Sequence, residues 1–258
     1  MSLLWPRPLH IHLFPGICRL ESPHMASAHI FSLDVSDTVE QILQKLDAQL
    51  TEHAGLVAKH KTVNFTLSDQ FSVVSMMPWQ DALSSPDEIS NYARLCLEGK
   101  ATVADHDWVQ HAEFDAYQQP GIVYAFSQLL LKGLDALSQK HHLKLRQVLP
   151  ISARVFFNRF KKSNKDQEIA LLIESTRSTL ITYINNRMHE IDVEPTFDTS
   201  LNTINRLLRR LEINDNKTIS VLVWSNEEQI HPDISPLIDS LLPNASITNL
   251  PFRFWRNG

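Results

Sequence analysis

The sequence predicts an α/β chain folded as two related lobes. Two observations predict this. Each half of the 258 residues reads strands, helix, strand, helix in the same order. That order suits two lobes better than one doubly wound sheet, whose parallel strands each alternate with a helix. The length, in turn, is enough for two small lobes or one large unit. The expected division is 1–160, a first lobe with inserted helices, and 161–258, a second lobe.

The first lobe opens with an apolar strand at Leu9–Phe14, a turn at Pro15-Gly16 and a returning strand at Ile17–Glu21. Ala28–Val35 reads as a third strand. Asp37 with Glu40 three residues on resembles a capping box. Val39, Ile42, Leu43, Leu46 and Leu50 then share a helix face that Gly55 is expected to end. Val63–Asp69 and Phe71–Met77 read as two strands of a hairpin around Asp69, closed by Pro78. Pro86 stands in the first turn of the next helix, where its missing N–H costs little. Residues 99–120 are polar, with a short strand at Trp108–Phe114. Ile122–Leu137 is expected to be the most apolar helix, followed by a strand at Leu143–Leu149 and a helix at Ile151–Phe160.

The second lobe repeats this plan. Glu168–Glu174 and Thr179–Asn185 pair around Ser175-Thr176-Arg177, and Met188–Val193 supplies a third strand. Asp198 or Thr199 caps a helix with Leu201, Ile204, Leu207, Leu208 and Leu211 on one face. A strand at Thr218–Trp224, a helix at Ile234–Leu241 and a strand at Ala245–Leu250 complete it.

Composition limits the function classes. Hydrophobic residues make up 43% and charged residues 21%, as in ordinary globular proteins. Residues 1–150 carry 11 Lys/Arg and 16 Asp/Glu, and residues 151–258 carry 13 of each. Neither half is basic, which argues against nucleic-acid binding. Cys18 and Cys96 form no disulfide framework, so a reducing compartment, the cytoplasm, is expected, with both thiols buried. No run of 18 apolar residues and no signal-peptide pattern occurs, so direct membrane insertion is not expected.

The stretch from Lys61 to Leu97 is the most specific. Leu67-Ser68-Asp69, Pro78-Trp79, and then Glu88, Tyr92, Ala93 and Arg94 stand at successive element ends. Val148-Leu149-Pro150 leads to a helix with Phe157-Asn158. In these residues the chain resembles the cytoplasmic, actin-like domain of the type II secretion inner-membrane component L. It resembles the type IV pilus assembly component M more distantly. The resemblance implies a two-lobed actin-like (ribonuclease-H-like) fold. It makes Asp69, Pro78, Trp79, Tyr92 and Arg94 structural signatures and carries no catalytic role across.

Actin-like ATPases hold phosphates in two hairpin turns, each usually Asp-x-Gly followed by Thr or Ser. The glycine lets backbone N–H groups approach phosphate, and the aspartate organises the metal. Here the first turn is Phe14-Pro15-Gly16-Ile17, lacking the aspartate and one N–H donor. The second, Glu174-Ser175-Thr176-Arg177, has no glycine, and no other phosphate-loop motif occurs. The actin-like fold is therefore expected in degenerate form, without nucleotide or any other cofactor. His10-x-His12 and His141-His142 lack a third ligand nearby in sequence, so hydrogen-bonded or exposed histidines are expected rather than a metal site. No GxSxG nucleophile motif is present. Trp79 is expected to be a core or lobe-interface anchor. Trp5 and the terminal Phe252-Arg253-Phe254-Trp255 are candidate contact residues. Among basic residues, Arg154, Arg159, Lys161, Lys162 and Lys165 form one group. Arg206, Arg209 and Arg210 form another, a solvated helix face or a docking surface for an acidic partner.

In the component L family the cytoplasmic domain binds the N-terminal domain of a hexameric assembly ATPase, and a spanning helix links it to the inner-membrane platform. Residues 1–258 hold no spanning helix, and a departure from that pattern is expected here. The resemblance thus implies a non-enzymatic module that docks on the assembly ATPase of a type IV pilus or type II secretion machine and restrains it. It would lie in the cytoplasm, reaching the inner-membrane platform through a partner. The alternatives are a scaffold component of the same platform and a small-molecule kinase or hydrolase of the ribonuclease-H-like superfamily. A third is a mobile-element adaptor with the same fold.

Overall fold

A computed structural model describes residues 7–22, 27–98, 100, 107–158, 165–211, 218–226 and 231–250. They form two compact units that interleave in sequence. The first takes Met1–Ser72, Asp105–Val109 and Phe126–Ile151; the second takes Val73–Ala104, Gln110–Ala125 and Ser152–Gly258. The chain passes between these units five times.

The first unit is built on β1 (Leu9–Phe14), β2 (Ile17–Glu21), β3 (His29–Ser32), β4 (Thr62–Leu67) and β8 (Lys144–Pro150), in the order β3-β2-β1-β4-β8. β1 pairs antiparallel with β2 and parallel with β4, and β4 pairs parallel with β8. Leu9, Ile11 and Leu13 of β1 and Val63, Phe65 and Leu67 of β4 are buried on one face. Helices α1 (Val39–Glu52) and α4 (Gln128–Lys140) pack together, α4 also lies against β8, and the short α2 (Ala54–Val57) follows α1. Apolar Ile42, Leu46 and Leu50 recur at the helical repeat and are the buried face of α1. The cap is Thr38, not Asp37. Thr38 Oγ1 accepts from Gln41 N, and the Gln41 side chain accepts from Thr38 N. Asp37 instead pairs with Lys45 at 2.6 Å. The helix ends at His53, before Gly55, which falls inside α2.

The second unit holds β9 (Gln167–Ile173), β10 (Arg177–Ile184), β11 (Arg187–Pro195), β12 (Ile219–Ser225) and β13 (Ala245–Asn249), in the order β11-β10-β9-β12-β13. The pairing senses repeat those of the first sheet, antiparallel for β9–β10 and β10–β11, parallel for β9–β12 and β12–β13. Helix α6 (Ser200–Arg209) packs on β10, β11 and α7 (His231–Leu241). Thr199 caps it, its side chain accepting from Asn202 N. Ile204, Leu207 and Leu208 join Ile169, Leu171 and Val221 in one buried cluster.

This unit also contains most of a three-stranded sheet, ordered β5-β7-β6, from β5 (Ser72–Met77), β6 (Trp108–Phe114) and β7 (Gly121–Ser127). Helix α3 (Pro86–Glu98) accompanies it, and Gln110 of β6 donates to the Ser90 carbonyl at 2.7 Å. Two expectations fail here. The strands on either side of Asp69 do not form a hairpin. β4 lies in the first sheet between β1 and β8, so no edge is left for β5, and a 3-10 turn at Asp69–Phe71 carries the chain into the small sheet. Nor is Ile122–Leu137 one helix. Its start, Ile122–Ser127, is part of β7, and the helix begins after Ser127, whose hydroxyl accepts from Leu130 N. Ile-Val-Tyr-Ala-Phe is a β-branched and aromatic run buried throughout, which apolar periodicity does not separate from a helix. Gly121 is needed at the start of β7, since a Cβ there would stand 2.3 Å from the Glu113 carbonyl oxygen.

Candidate functional site

The two hairpin turns occupy matching places in the two five-stranded sheets. Ser68 N donates to Leu13 O before the first turn, as Asn226 N donates to Ile173 O before the second. Leu33 N donates to Gly16 O, as Thr196 N donates to Thr176 O. Gly16 thus corresponds to Thr176, and Pro15 to Ser175. Gly16 takes φ +79°, which only glycine adopts freely. Phe14 and Pro15 are buried, so the first turn presents apolar side chains where a phosphate turn presents N–H groups. In the second turn Glu174 is buried, and Ser175, Thr176 and Arg177 are half-buried.

A cleft of about 210 Å³ lies within the second unit. Glu113 and Asp115, at the end of β6, stand on its wall with Phe156 and Phe157 of α5 (Ile151–Phe157) and Tyr183 and Met188 of β10 and β11. Glu113 and Asp115 are exposed; Phe156, Tyr183 and Met188 are buried. Below the wall, Tyr124 of β7 carries a hydroxyl whose pKa is pushed up by burial and, secondarily, by the charge of Glu113. Burial lowers the neighbouring Arg154 guanidinium to about 10, against which the Tyr124 interaction works. Beside the cleft, Trp79 packs edge-to-face on Phe114 (4.9 Å) and on Tyr117 (5.2 Å). Its indole N–H donates to Asp81 at 2.8 Å. Tyr117 is 76% exposed.

Trp79 is therefore a half-buried surface aromatic rather than a core anchor; among the described tryptophans the one with no exposure is Trp224. Pro78 is exposed at the end of β5 and Asp69 is buried in its 3-10 turn. Tyr92 accepts from Gln80 at 3.3 Å, tying α3 to the Trp79 segment. Arg94 is exposed and faces Glu98 at 3.8 Å, an exposed pair that contributes little.

The three arginines do not act alike. Arg206 bonds to Glu194 and faces Asp198 at 3.6 Å. Arg210 pairs with Asp192 (3.1 Å) and Glu194 (2.9 Å). Both tie α6 to β11, and Arg206 also reaches the loop after it. Arg209 bonds Asn205 and, among the described residues, faces no carboxylate. Of the histidines, His10 and His12 stack at 6.4 Å, and His12 lies 3.7 Å from Glu21. His141 bonds Asp47 at 2.9 Å. Among the described residues no three His, Cys, Asp or Glu side chains group to hold a metal. Cys18 is buried, which pushes its thiol pKa up, but Cys96 is only half-buried. Arg159, Lys161 and Lys162, Trp5 and the segment 252–255 lie outside the described residues.

Sequence reading missed Glu113, Asp115, Phe156, Tyr183 and Met188, which come from three separated stretches. One signal was available. Residues 73–125 carry eight Asp/Glu and two Lys/Arg, a net of −6, while the whole chain carries −5.

No protein-family model matches this sequence, and no curated protein matches it. Solved structures do. A Bacteroides thetaiotaomicron protein with an actin-like ATPase fold and unknown function superposes with a TM-score of 0.67 at 10% identity, over 94% of this chain and 91% of that one. The PilM–PilN type IV pilus biogenesis complex contains a chain that superposes with a TM-score of 0.64 at 11% identity, over 94% and 88%. The fold is actin-like. The cytoplasmic domain of EpsL, an inner-membrane component of the type II secretion system of Vibrio cholerae, follows at 0.51 and 9% identity, over 96% and 87%. The actin-like fold accounts for the repeated sheet order. Among the described residues no helix is long and apolar enough to cross a membrane.

Proposed function

We propose that this chain is a non-enzymatic protein-binding module of a type IV pilus or type II secretion machine. It docks on the machine's hexameric assembly ATPase and restrains it, with inner-membrane platform proteins as further partners. The first turn carries this reading: in an actin-like frame, Pro15 offers no N–H, Phe14 is buried, and no aspartate stands ready for a metal. The likeness to a pilus complex and to a secretion component supports the choice of machine.

Two measurements test it. Calorimetry with millimolar Mg-ATP gives no heat of binding; a dissociation constant below about 100 μM, roughly −5.5 kcal/mol, overturns the loss of nucleotide binding. Overproduction in the native host lowers pilus extension or secretion, and the assembly ATPase is recovered with the tagged chain. Unchanged output with no ATPase recovered overturns the docking role. Increased extension assigns a scaffold role instead.

A further inference from the structure

The cleft of the second unit is too small for an ordinary small-molecule site, which takes about 300–1,000 Å³; at about 210 Å³ it suits one long side chain. Its chemistry narrows the occupant. The floor is apolar and aromatic, with Phe156, Tyr183 and Met188 buried and Phe157 partly exposed. The lip carries two exposed carboxylates, Glu113, which faces His111 at 3.6 Å, and Asp115, and among the described residues the lining has no Lys or Arg. A guanidinium satisfies both: its plane stacks on aromatic rings, its fork meets carboxylates, and its methylene stem covers apolar surface. An aspartate or glutamate would be repelled at the lip.

The surroundings extend the argument beyond one residue. Phe114 lines the cleft and also packs on Trp79, which in turn carries Tyr117, so the cleft opens beside an exposed aromatic patch. Such patches mark contact surfaces when they are rimmed by polar groups. The rim here carries the exposed carboxylates of Asp81, which accepts from Trp79, and of Glu113 and Asp115. The other described carboxylates of residues 73–125, Asp87, Glu88, Glu98 and Asp107, are exposed as well. The remainder of the chain carries a net +1, so the negative field of the protein is concentrated on this segment. That field rejects nucleic acid and anionic lipid.

We propose that the Glu113/Asp115 cleft and the adjoining Trp79–Tyr117 patch form a docking surface for a basic segment of a partner protein, anchored by one arginine in the cleft. The proposal rests on the protein-binding reading above and names the chemistry of its partner. It places the contact on the acidic small sheet rather than on the arginines of α6.

The test uses the full chain and three fluorescein-labelled peptides, each of three repeats: Gly-Arg-Ser-Leu, Gly-Lys-Ser-Leu and Gly-Glu-Ser-Leu. Anisotropy is read at 20 and 300 mM salt. The arginine peptide binds tightest, the lysine peptide about 3–10-fold weaker, and the glutamate peptide not at all. Salt weakens the basic peptides, because exposed charges are screened beyond about 8–10 Å. Glu113→Lys with Asp115→Lys lowers affinity at least 10-fold, and Tyr117→Ala lowers it several-fold, with unchanged melting. As a control for general charge attraction, Glu52→Lys with Asp135→Lys leaves affinity unchanged. Equal binding of the arginine and glutamate peptides, full affinity in the Glu113/Asp115 variant, or an equal loss in the control overturns the proposal. A failed recovery of the assembly ATPase with intact peptide binding overturns only the identity of the machine. Recovery of that ATPase equally by wild type and the Glu113/Asp115 variant overturns only the surface.

Discussion

The two five-stranded sheets share strand order, pairing sense and turn position, but they differ on one face. Register relates Leu9, Ile11 and Leu13 of β1 to Ile169, Leu171 and Ile173 of β9, and all six are buried apolar residues. On the opposite face, His10 and His12 correspond to Ala170 and Leu172, and Asn64 and Thr66 to Leu222 and Trp224. Arg19 and Glu21 of β2 correspond to Thr179 and Ile181 of β10. The first sheet thus buries a polar face, with His12 and Glu21 almost without exposure, where the second buries an apolar one. The frame needs one apolar face for each sheet. Backbone pairing leaves the chemistry of the other face free, provided its polar groups find partners, as Glu21 does in Arg19 at 2.9 Å.

Substitutions on that second face break the comparison most sharply. Trp224→Ala removes a side chain with no exposure and costs about 3–5 kcal/mol, whereas its counterpart change Thr66→Val costs about 1 kcal/mol. Urea unfolding with hydrogen exchange as the local readout tells the units apart. Equal losses at both positions would mean that the two faces are equivalent after all. Glu21→Gln leaves Arg19 and His12 without the carboxylate and costs about 3 kcal/mol, against about 1 kcal/mol for the matching Ile181→Val.

The turns respond more weakly. Gly16→Ala, at φ +79°, costs about 1–2 kcal/mol; Thr176→Gly, at an ordinary φ, costs about 0.5–1 kcal/mol through added unfolded-chain entropy. The same denaturation series measures both. Acid sets the smallest effect. Hydrogen bonds from Lys140 and His141 hold the Asp47 carboxyl below the usual carboxylate range. A depressed folded-state pKa stabilises above the unfolded value, about 3.9, and that contribution is lost as pH falls through the folded value. Amide protection in α1 and α4, taken relative to the intrinsic exchange rate, therefore falls only below about pH 4, and Asp47→Asn abolishes that pH dependence. Asp198, held low chiefly by Asn202 and the Thr199 backbone, gives the N-terminus of α6 the same acid limit.

Much of this architecture is legible locally. β1, β2 and β6 begin and end where their apolar patterns and the Pro15-Gly16 turn place them, and α6 starts at Thr199, one of the two caps, Asp198 or Thr199, that the sequence offers. These elements depend on neighbours a few residues away. The repeated order of strands and helices, read from the same local signals, pointed to two related α/β lobes, and the resemblance carried by residues 63–94 pointed to the actin-like fold. Ile122–Phe126 was not legible, because a fully buried strand and a buried helix turn share one composition, and only the place beside β5 and β6 selects the strand. The departure of β5 from β4 was hidden for a related reason: β4 gives up both its edges to β1 and β8.

The sequence by itself determined the order of elements over residues 167–250, the missing N–H at Pro15, the single glycine able to make the first turn, and the acidity of residues 73–125. These are properties of residue type and near neighbours. Tertiary structure alone decided that Arg206 and Arg210 are engaged by β11 carboxylates, that Trp79 lies at the surface, and that Glu113 and Asp115 meet Phe156, Tyr183 and Met188 around one cleft. The cleft joins stretches up to 75 residues apart, from 113 to 188. Sheet pairing and helix packing bring such stretches together, and no local pattern encodes that meeting.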